Sequence, residues 1–130
     1  MKSAPIKEKG TILILEPERI VWMELKMELE KKGYNIMLSN DVKLSNQLKG
    51  DSVIKVIIIN IDKVTAEDCT YIKQRLPLSE IFLIAISSGS QIIEEHEGIR
   101  FAKTFLKPLD CGDIVNLVDN HLLFNLKTVE

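Results

Sequence analysis

Three short apolar runs constrain this chain more than any other feature: Thr11-Ile-Leu-Ile-Leu15, Val53-Ile-Lys-Val-Ile-Ile-Ile59 and Ile81-Phe-Leu-Ile-Ala-Ile86. Each has the length of a strand and is rich in isoleucine or valine. A strand with one wet face alternates apolar and polar residues, so near-continuous runs predict strands buried on both faces. Val53–Ile59 is the strongest of them and is expected at the centre of the sheet.

Helix signals fall between these runs. Pro17 suits the first turn of a helix, where a missing amide proton is harmless. That helix is expected to reach Lys32 and stop at Gly33, a left-handed C-terminal position. Tyr34–Leu38 reads as a shorter, more polar strand at an edge. Asp41 caps a small helix ending at Gly50. Thr65-Ala-Glu-Asp68 has the form of a capping box with Asp in place of Glu, and its helix ends by Leu76, ahead of Pro77. Ser87-Ser-Gly-Ser90 is a turn whose backbone amides could cradle an anion, with a plain loop as the default reading, and a weak acidic helical stretch follows to about Gly98. Lys103–Leu106 is a brief strand. Asp110 starts a last helix with apolar positions at Ile114, Val115, Val118 and Leu122.

Five strands alternating with helices imply βαβ units, and right-handed crossovers leave few topologies. The expected fold is α/β: a flavodoxin-like, doubly wound, five-stranded parallel sheet of order 2-1-3-4-5 with helices on both faces. Residues 1–10 (MKSAPIKEKG) read as a flexible N-terminal arm, 11–124 as the domain and 125–130 as a C-terminal tail. A chain of 130 residues fits one such domain.

Composition narrows the function classes. With 17 basic and 19 acidic residues, the net charge of −2 gives no electrostatic footprint for nucleic acid. No apolar run approaches the ~18 residues of a membrane span, and no signal-peptide pattern opens the chain. Cys69 and Cys111 have neither metal-ligand spacing nor disulfide density. These features fit a soluble, cytoplasmic domain.

In doubly wound sheets ligands bind beyond the carboxyl ends of the strands. There the sequence places Glu16, Asn60, Ser87 and Lys107, one at each of four strand ends. A polar strand end is ordinary taken singly, but all four followed by Lys107-Pro108 form a more specific pattern.

Leu13-Ile-Leu-Glu-Pro-Glu18, Val56-Ile-Ile-Ile-Asn60, Ala85-Ile-Ser87 and Thr104-Phe-Leu-Lys-Pro108 together resemble the receiver domain of two-component response regulators. The resemblance spans residues 11–124. It implies that two acidic residues after the first strand bind Mg²⁺ and that an Asp ending the third accepts a phosphoryl group from a histidine kinase. It further implies that a Ser or Thr ending the fourth strand and a Lys after the fifth hold the phosphoryl oxygens, with a cis bond at Pro108.

The departures define the expected chemistry. The acidic pair is Glu16-Pro17, and the acceptor position is Asn60. An amide is no carboxylate nucleophile, and Mg²⁺ usually takes one or two carboxylates. Ser87 and Lys107 match. The pattern is therefore that of a degenerate, or pseudo-, receiver whose Mg²⁺ binding is lost or weak, with no catalytic residue and no other cofactor. A structural role for Asn60, bonded to Lys107 or Ser87, is expected ahead of residual chemistry. Asp62 with Glu16 is a weak alternative cation site, set against ordinary turn chemistry.

Other features have plain readings. Glu94-Glu95-His96-Glu97 is read as a solvated helix face, His121 as a partly buried residue near the Ile114–Val118 stripe, and Cys111 as a thiol whose position near a helix start could lower its pKa. On the first helix Val21, Trp22, Leu25 and Leu29 form one arc for the sheet. Ile20, Met23 and Met27 form a second arc that the fold does not need, unless the arm or the last helix covers it. This arc is the candidate partner surface.

The expected function is a receiver-like domain of two-component (phosphorelay) signal transduction that works by phosphorylation-independent protein–protein interaction. Its partner would be a histidine kinase, a phosphotransfer protein, another regulator or a second copy of the chain. The alternatives are a working receiver with an atypical acceptor such as Asp62 or Ser87, and a small flavodoxin-like cofactor-binding protein. The second is disfavoured because Glu16-Pro-Glu-Arg19 sets carboxylates where a phosphate loop would lie.

Overall fold

The computed structural model describes residues 10–38, 54–89 and 92–129. Its elements are β1 (Thr11–Leu15), α1 (Arg19–Lys31), β2 (Asn35–Leu38), β3 (Ile54–Asn60), α2 (Ala66–Arg75) and a 3₁₀ turn (Leu78–Glu80). They continue with β4 (Phe82–Ser87), β5 (Glu95–His96), β6 (Ile99–Arg100), β7 (Lys103–Leu106) and α3 (Cys111–Val129). Five strands form one parallel sheet of order β2-β1-β3-β4-β7, the doubly wound arrangement expected, with β3 central and β2 at an edge. The small helix expected from Asp41 to Gly50 lies outside the described residues, as do residues 1–9 of the arm.

Two-sided burial explains the apolar runs. Successive side chains of a strand point to opposite faces. Ile12, Ile14, Val56, Ile58, Ile84 and Ile86 enter one core with Leu25 and Leu29 of α1 and Ile114, Val115 and Val118 of α3. Leu13, Leu15, Ile57, Ile59, Leu83 and Ala85 enter the other with Cys69 and Ile72 of α2. Each fully buried Leu or Ile contributes about 1.5–3 kcal/mol relative to exposure, so neither face tolerates a polar period.

Helix ends follow local chemistry. α1 begins at Arg19, and Pro17 lies ahead of its N-cap, Glu18, instead of inside the first turn. The reason is that the Glu16 carboxylate accepts the Glu18 N–H at 2.8 Å, holding this entry extended. After α1, Gly33 takes φ +99°, the left-handed position expected there. The Thr65–Asp68 capping box forms in both directions, at 3.0 and 3.5 Å. At the start of α3, Asp110 Oδ1 accepts the Gly112 N–H at 3.0 Å. α3 then runs to Val129, past the Phe124 boundary expected from the sequence, so residues 125–129 are helix and not tail.

The acidic stretch before Gly98 is not a helix. Glu95–His96 and Ile99–Arg100 pair antiparallel around Glu97 and Gly98, whose φ values of 52° and 81° are both positive, as a two-residue type I′ hairpin requires. Glycine weighs about 1 kcal/mol against a helix and nothing against this turn. The hairpin also buries Ile99, with Ile93 and Phe101 against the second core, and Lys73 of α2 donates to the Glu97 carbonyl at 2.7 Å. The second face is thus shared by α2 and a hairpin. Glu94-Glu95-His96-Glu97 belongs to that hairpin, not to a helix face.

Candidate functional site

The strand ends bring Glu16, Asn60, Ser87 and Lys107 to one rim in two linked clusters. Glu16, just after β1, is fully buried. Three donors meet its carboxylate: Asn60 Nδ2 at 3.0 Å on Oε1, and Glu18 N–H at 2.8 Å and Lys107 Nζ at 3.3 Å on Oε2. Such charge-assisted bonds are about twice as strong as neutral ones. Lys107 also donates to Glu18 Oε1 at 2.8 Å. Partial burial alone would lower the ammonium's pKa, but the bonds and charges of Glu18 and Glu16 outweigh it and hold the pKa raised. The Lys107–Pro108 peptide is cis.

The second cluster is built on Asp62. Its carboxylate accepts the Ser88 N–H at 2.6 Å, the Ser88 hydroxyl at 2.8 Å and the Ser87 hydroxyl at 3.5 Å. Gly89 N–H donates to Ser87 Oγ at 3.0 Å. The Ser88 backbone bond is the main reason why the Asp62 carboxyl titrates below its ordinary value, against a smaller opposing effect of burial. Two links join the clusters: Asp62 N–H donates to Asn60 Oδ1 at 2.9 Å, and Lys107 N–H to the Ser87 carbonyl at 2.8 Å. Among the described residues, every buried side-chain nitrogen and oxygen has a partner.

This geometry limits the chemistry. Asn60 spends its nitrogen on Glu16 and its oxygen on the Asp62 amide, with no bond to Lys107 or Ser87 through its side chain. Glu16 and Asp62 take different partners, and the described residues hold no group of three or more His, Cys, Asp or Glu placed for a metal ion. Pro17 is exposed, and its side chain offers no ligand atom. The sequence reading missed Glu18 and Ser88. Glu18 sits two residues after Glu16 at a helix N-cap, and Ser88 beside Ser87 in a Ser-Ser-Gly turn. Both positions were legible as rim positions, but not as partners of Lys107 and Asp62.

The remaining candidates are placed plainly. Burial first, then nearby Glu24 and Asp110, push the Cys111 thiol up to about 11, which overturns the expectation of a lowered pKa. His121 stacks on Phe82 at 3.8 Å between ring centroids, and burial lowers its pKa. Ile20, Met23 and Met27 are 77%, 38% and 54% exposed, so neither α3 nor any other described element covers the second arc of α1. Beside Ile20, an open groove of about 430 Å³ runs between α1 and the β7–α3 connection, lined by Val21, Glu24, Lys107, Pro108 and Leu109.

Comparison with known proteins agrees with this architecture. No family model matches the chain. A CheY-like response regulator receiver domain protein from Methanospirillum hungatei superimposes with a TM-score of 0.70 at 16% identity, over 90% of this chain and 97% of that one. A signal receiver domain from Clostridium thermocellum gives 0.69 at 19% identity, over 87% and 97%. The chain therefore has the receiver fold that its motifs resemble. In sequence it is 28% identical over 130 residues to Histidine kinase P4 of Formosa agariphila, covering 93% of this chain and 9% of that protein. No described helix is long and apolar enough to cross a membrane.

Proposed function

We propose that this chain is a pseudo-receiver: a signalling module of two-component type that acts by docking to another protein, with no phosphoryl transfer at position 60. The observation that carries this reading is the Asn60–Glu16 hydrogen bond, with Lys107 on the same carboxylate. Asn60 has no nucleophilic oxygen, and the one acidic side chain left from the pair is neutralised from within. Mg²⁺ usually takes one or two carboxylates, and the single one left from the pair is already bonded to Asn60, Lys107 and the Glu18 N–H. The similarity to a small part of a histidine kinase supports a place in the same kind of signalling chain.

The face for docking is the exposed arc of α1 together with the groove beside Lys107–Leu109. Methionines suit adaptable contact surfaces because their side chains repack readily. The partner class is a histidine kinase or a phosphotransfer protein, with another regulator or a second copy as further members of the same mode.

The test is incubation with acetyl phosphate and Mg²⁺, followed by intact-mass spectrometry. No phosphoryl mass is expected. A stable adduct mapping to Asp62 or Ser87 would sink the proposal in favour of a working receiver with a displaced acceptor.

A further inference from the structure

Asp62 is seated on neutral donors. One backbone N–H and two hydroxyls from consecutive residues converge on a single carboxylate, at 2.6, 2.8 and 3.5 Å. The Gly89 N–H occupies a lone pair of Ser87 Oγ, which leaves the Ser87 proton free to point at Asp62. A side chain at position 89 would crowd this arrangement, since a Cβ there would lie 3.3 Å from Ser87 Oγ. The Lys107 ammonium adds a favourable field without a contact. Backbone amide, hydroxyls and a nearby cation are the donor set of an oxyanion site. Here the anion is tethered two residues beyond Asn60, whose side-chain oxygen fixes the Asp62 amide.

We propose that Ser87 and Ser88 form an oxyanion site which the chain fills with its own Asp62 carboxylate, so that the rim is held permanently in its anion-bound arrangement. This deepens the pseudo-receiver reading and rests on it: a module that needs no phosphoryl group carries its own substitute. Because Asp62 N–H bonds Asn60, Asn60 bonds Glu16, and Lys107 N–H bonds the Ser87 carbonyl, the clasp ties the β3 and β4 ends to the β1 and β7 ends. The groove beside α1 is thereby kept in one shape. The internal carboxylate also excludes free phosphate-class anions from the site.

Amide hydrogen exchange at Ser88 and Gly89 reads the clasp directly, in the whole chain and in its Asp62→Ala and Asp62→Asn variants. A hydrogen bond to a charged group is worth ~1.5–3 kcal/mol, so the Ser88 amide should exchange roughly tenfold faster or more in Asp62→Ala. Asp62→Asn keeps an acceptor without the charge and should fall between. Millimolar inorganic phosphate should restore protection in Asp62→Ala and leave the parent chain unchanged, with sodium chloride at matched ionic strength restoring nothing. Unchanged exchange in both variants would overturn the clasp, and faster exchange with no response to phosphate would overturn the oxyanion site. A phosphoryl adduct on the parent chain tests the pseudo-receiver reading instead, so the two failures are distinguishable.

Discussion

The side-chain amide of Asn60 donates to Glu16 Oε1 across 3.0 Å, and both residues are buried. The pair is neutral plus anionic, and that difference from two carboxylates decides the character of the rim. Asn60→Asp would set two acids face to face in a site closed to water. Like charges at this range raise one pKa, and the lost donor leaves Glu16 short of a partner. The variant should lose about 1–3 kcal/mol at neutral pH in urea unfolding. A carboxyl whose folded pKa is raised costs nothing below its unfolded value near 4, and its full penalty is reached above the folded pKa. The deficit relative to the parent should therefore shrink on acidification towards pH 4. An equal deficit at pH 4 and pH 8 would refute the coupling. Phosphoryl uptake should rise little, since Pro17 still leaves Glu16 as the only acidic residue of the former pair.

Lys107→Met is expected to be more damaging than loss of a surface ion pair. An exposed pair is worth ~0–1 kcal/mol, whereas removing one member of a buried pair leaves an uncompensated charge and costs on the order of 3 kcal/mol. Glu16 is wholly buried and Lys107 mostly so, which places this pair near the second case. Its raised pKa means that the lysine's contribution is complete below the ordinary lysine value and fades as pH climbs through the folded one. The parent should lose stability at the alkaline end, and Lys107→Met should flatten that limb of the curve. A loss under 0.5 kcal/mol, the ordinary range for surface substitutions, would show the pair to be a surface decoration.

The parts of this structure that sequence made legible are those governed by burial. Two-sided strands such as Ile81–Ile86 have one physical solution, and glycines and prolines mark where the helices stop. The rim residues were legible because strand ends in a parallel sheet must converge. The hairpin at Glu95–Arg100 was not, because Glu97 hides a turn usually written Asn-Gly, and three glutamates resemble a solvated helix face. The Asp62–Ser88 contact was equally hidden, since it joins loops that are close only after β3 and β4 have paired.

The hairpin predicts a stabilising change. Glu97 is a non-glycine residue at φ 52°, a region that costs L-residues roughly 1 kcal/mol and that Asn tolerates best. Glu97→Asn should raise stability by about 0.5–1 kcal/mol, because it relieves that conformation while leaving the carbonyl that Lys73 bonds. Glu97→Pro should do the reverse, since its ring fixes φ near −65°. Thermal unfolding of the two variants distinguishes this turn from a helix. In a helix both substitutions would destabilise, Asn slightly and Pro by about 3 kcal/mol.

The exposed arc of α1 yields the prediction closest to function. Ile20, Met23 and Met27 lie at i, i+3 and i+7 on the face away from Leu25 and Leu29, which are fully buried. A helix lying on a sheet needs one apolar stripe, so the second is available for a partner. Met23→Glu places a charge at the middle of the arc. Exposed substitutions of this kind change stability by within about 0.5 kcal/mol, so the melting temperature should barely move. A central apolar contact in an interface is worth about 2 kcal/mol or more, so binding should weaken roughly tenfold or further. Two measurements bear on it: retention of a histidine-containing phosphotransfer domain on the immobilised chain, and the concentration dependence of sedimentation for the chain alone. Loss of either interaction in Met23→Glu, with the melting temperature preserved, places the interface on α1. Equal binding by parent and variant in both assays would remove this face from the function of the protein.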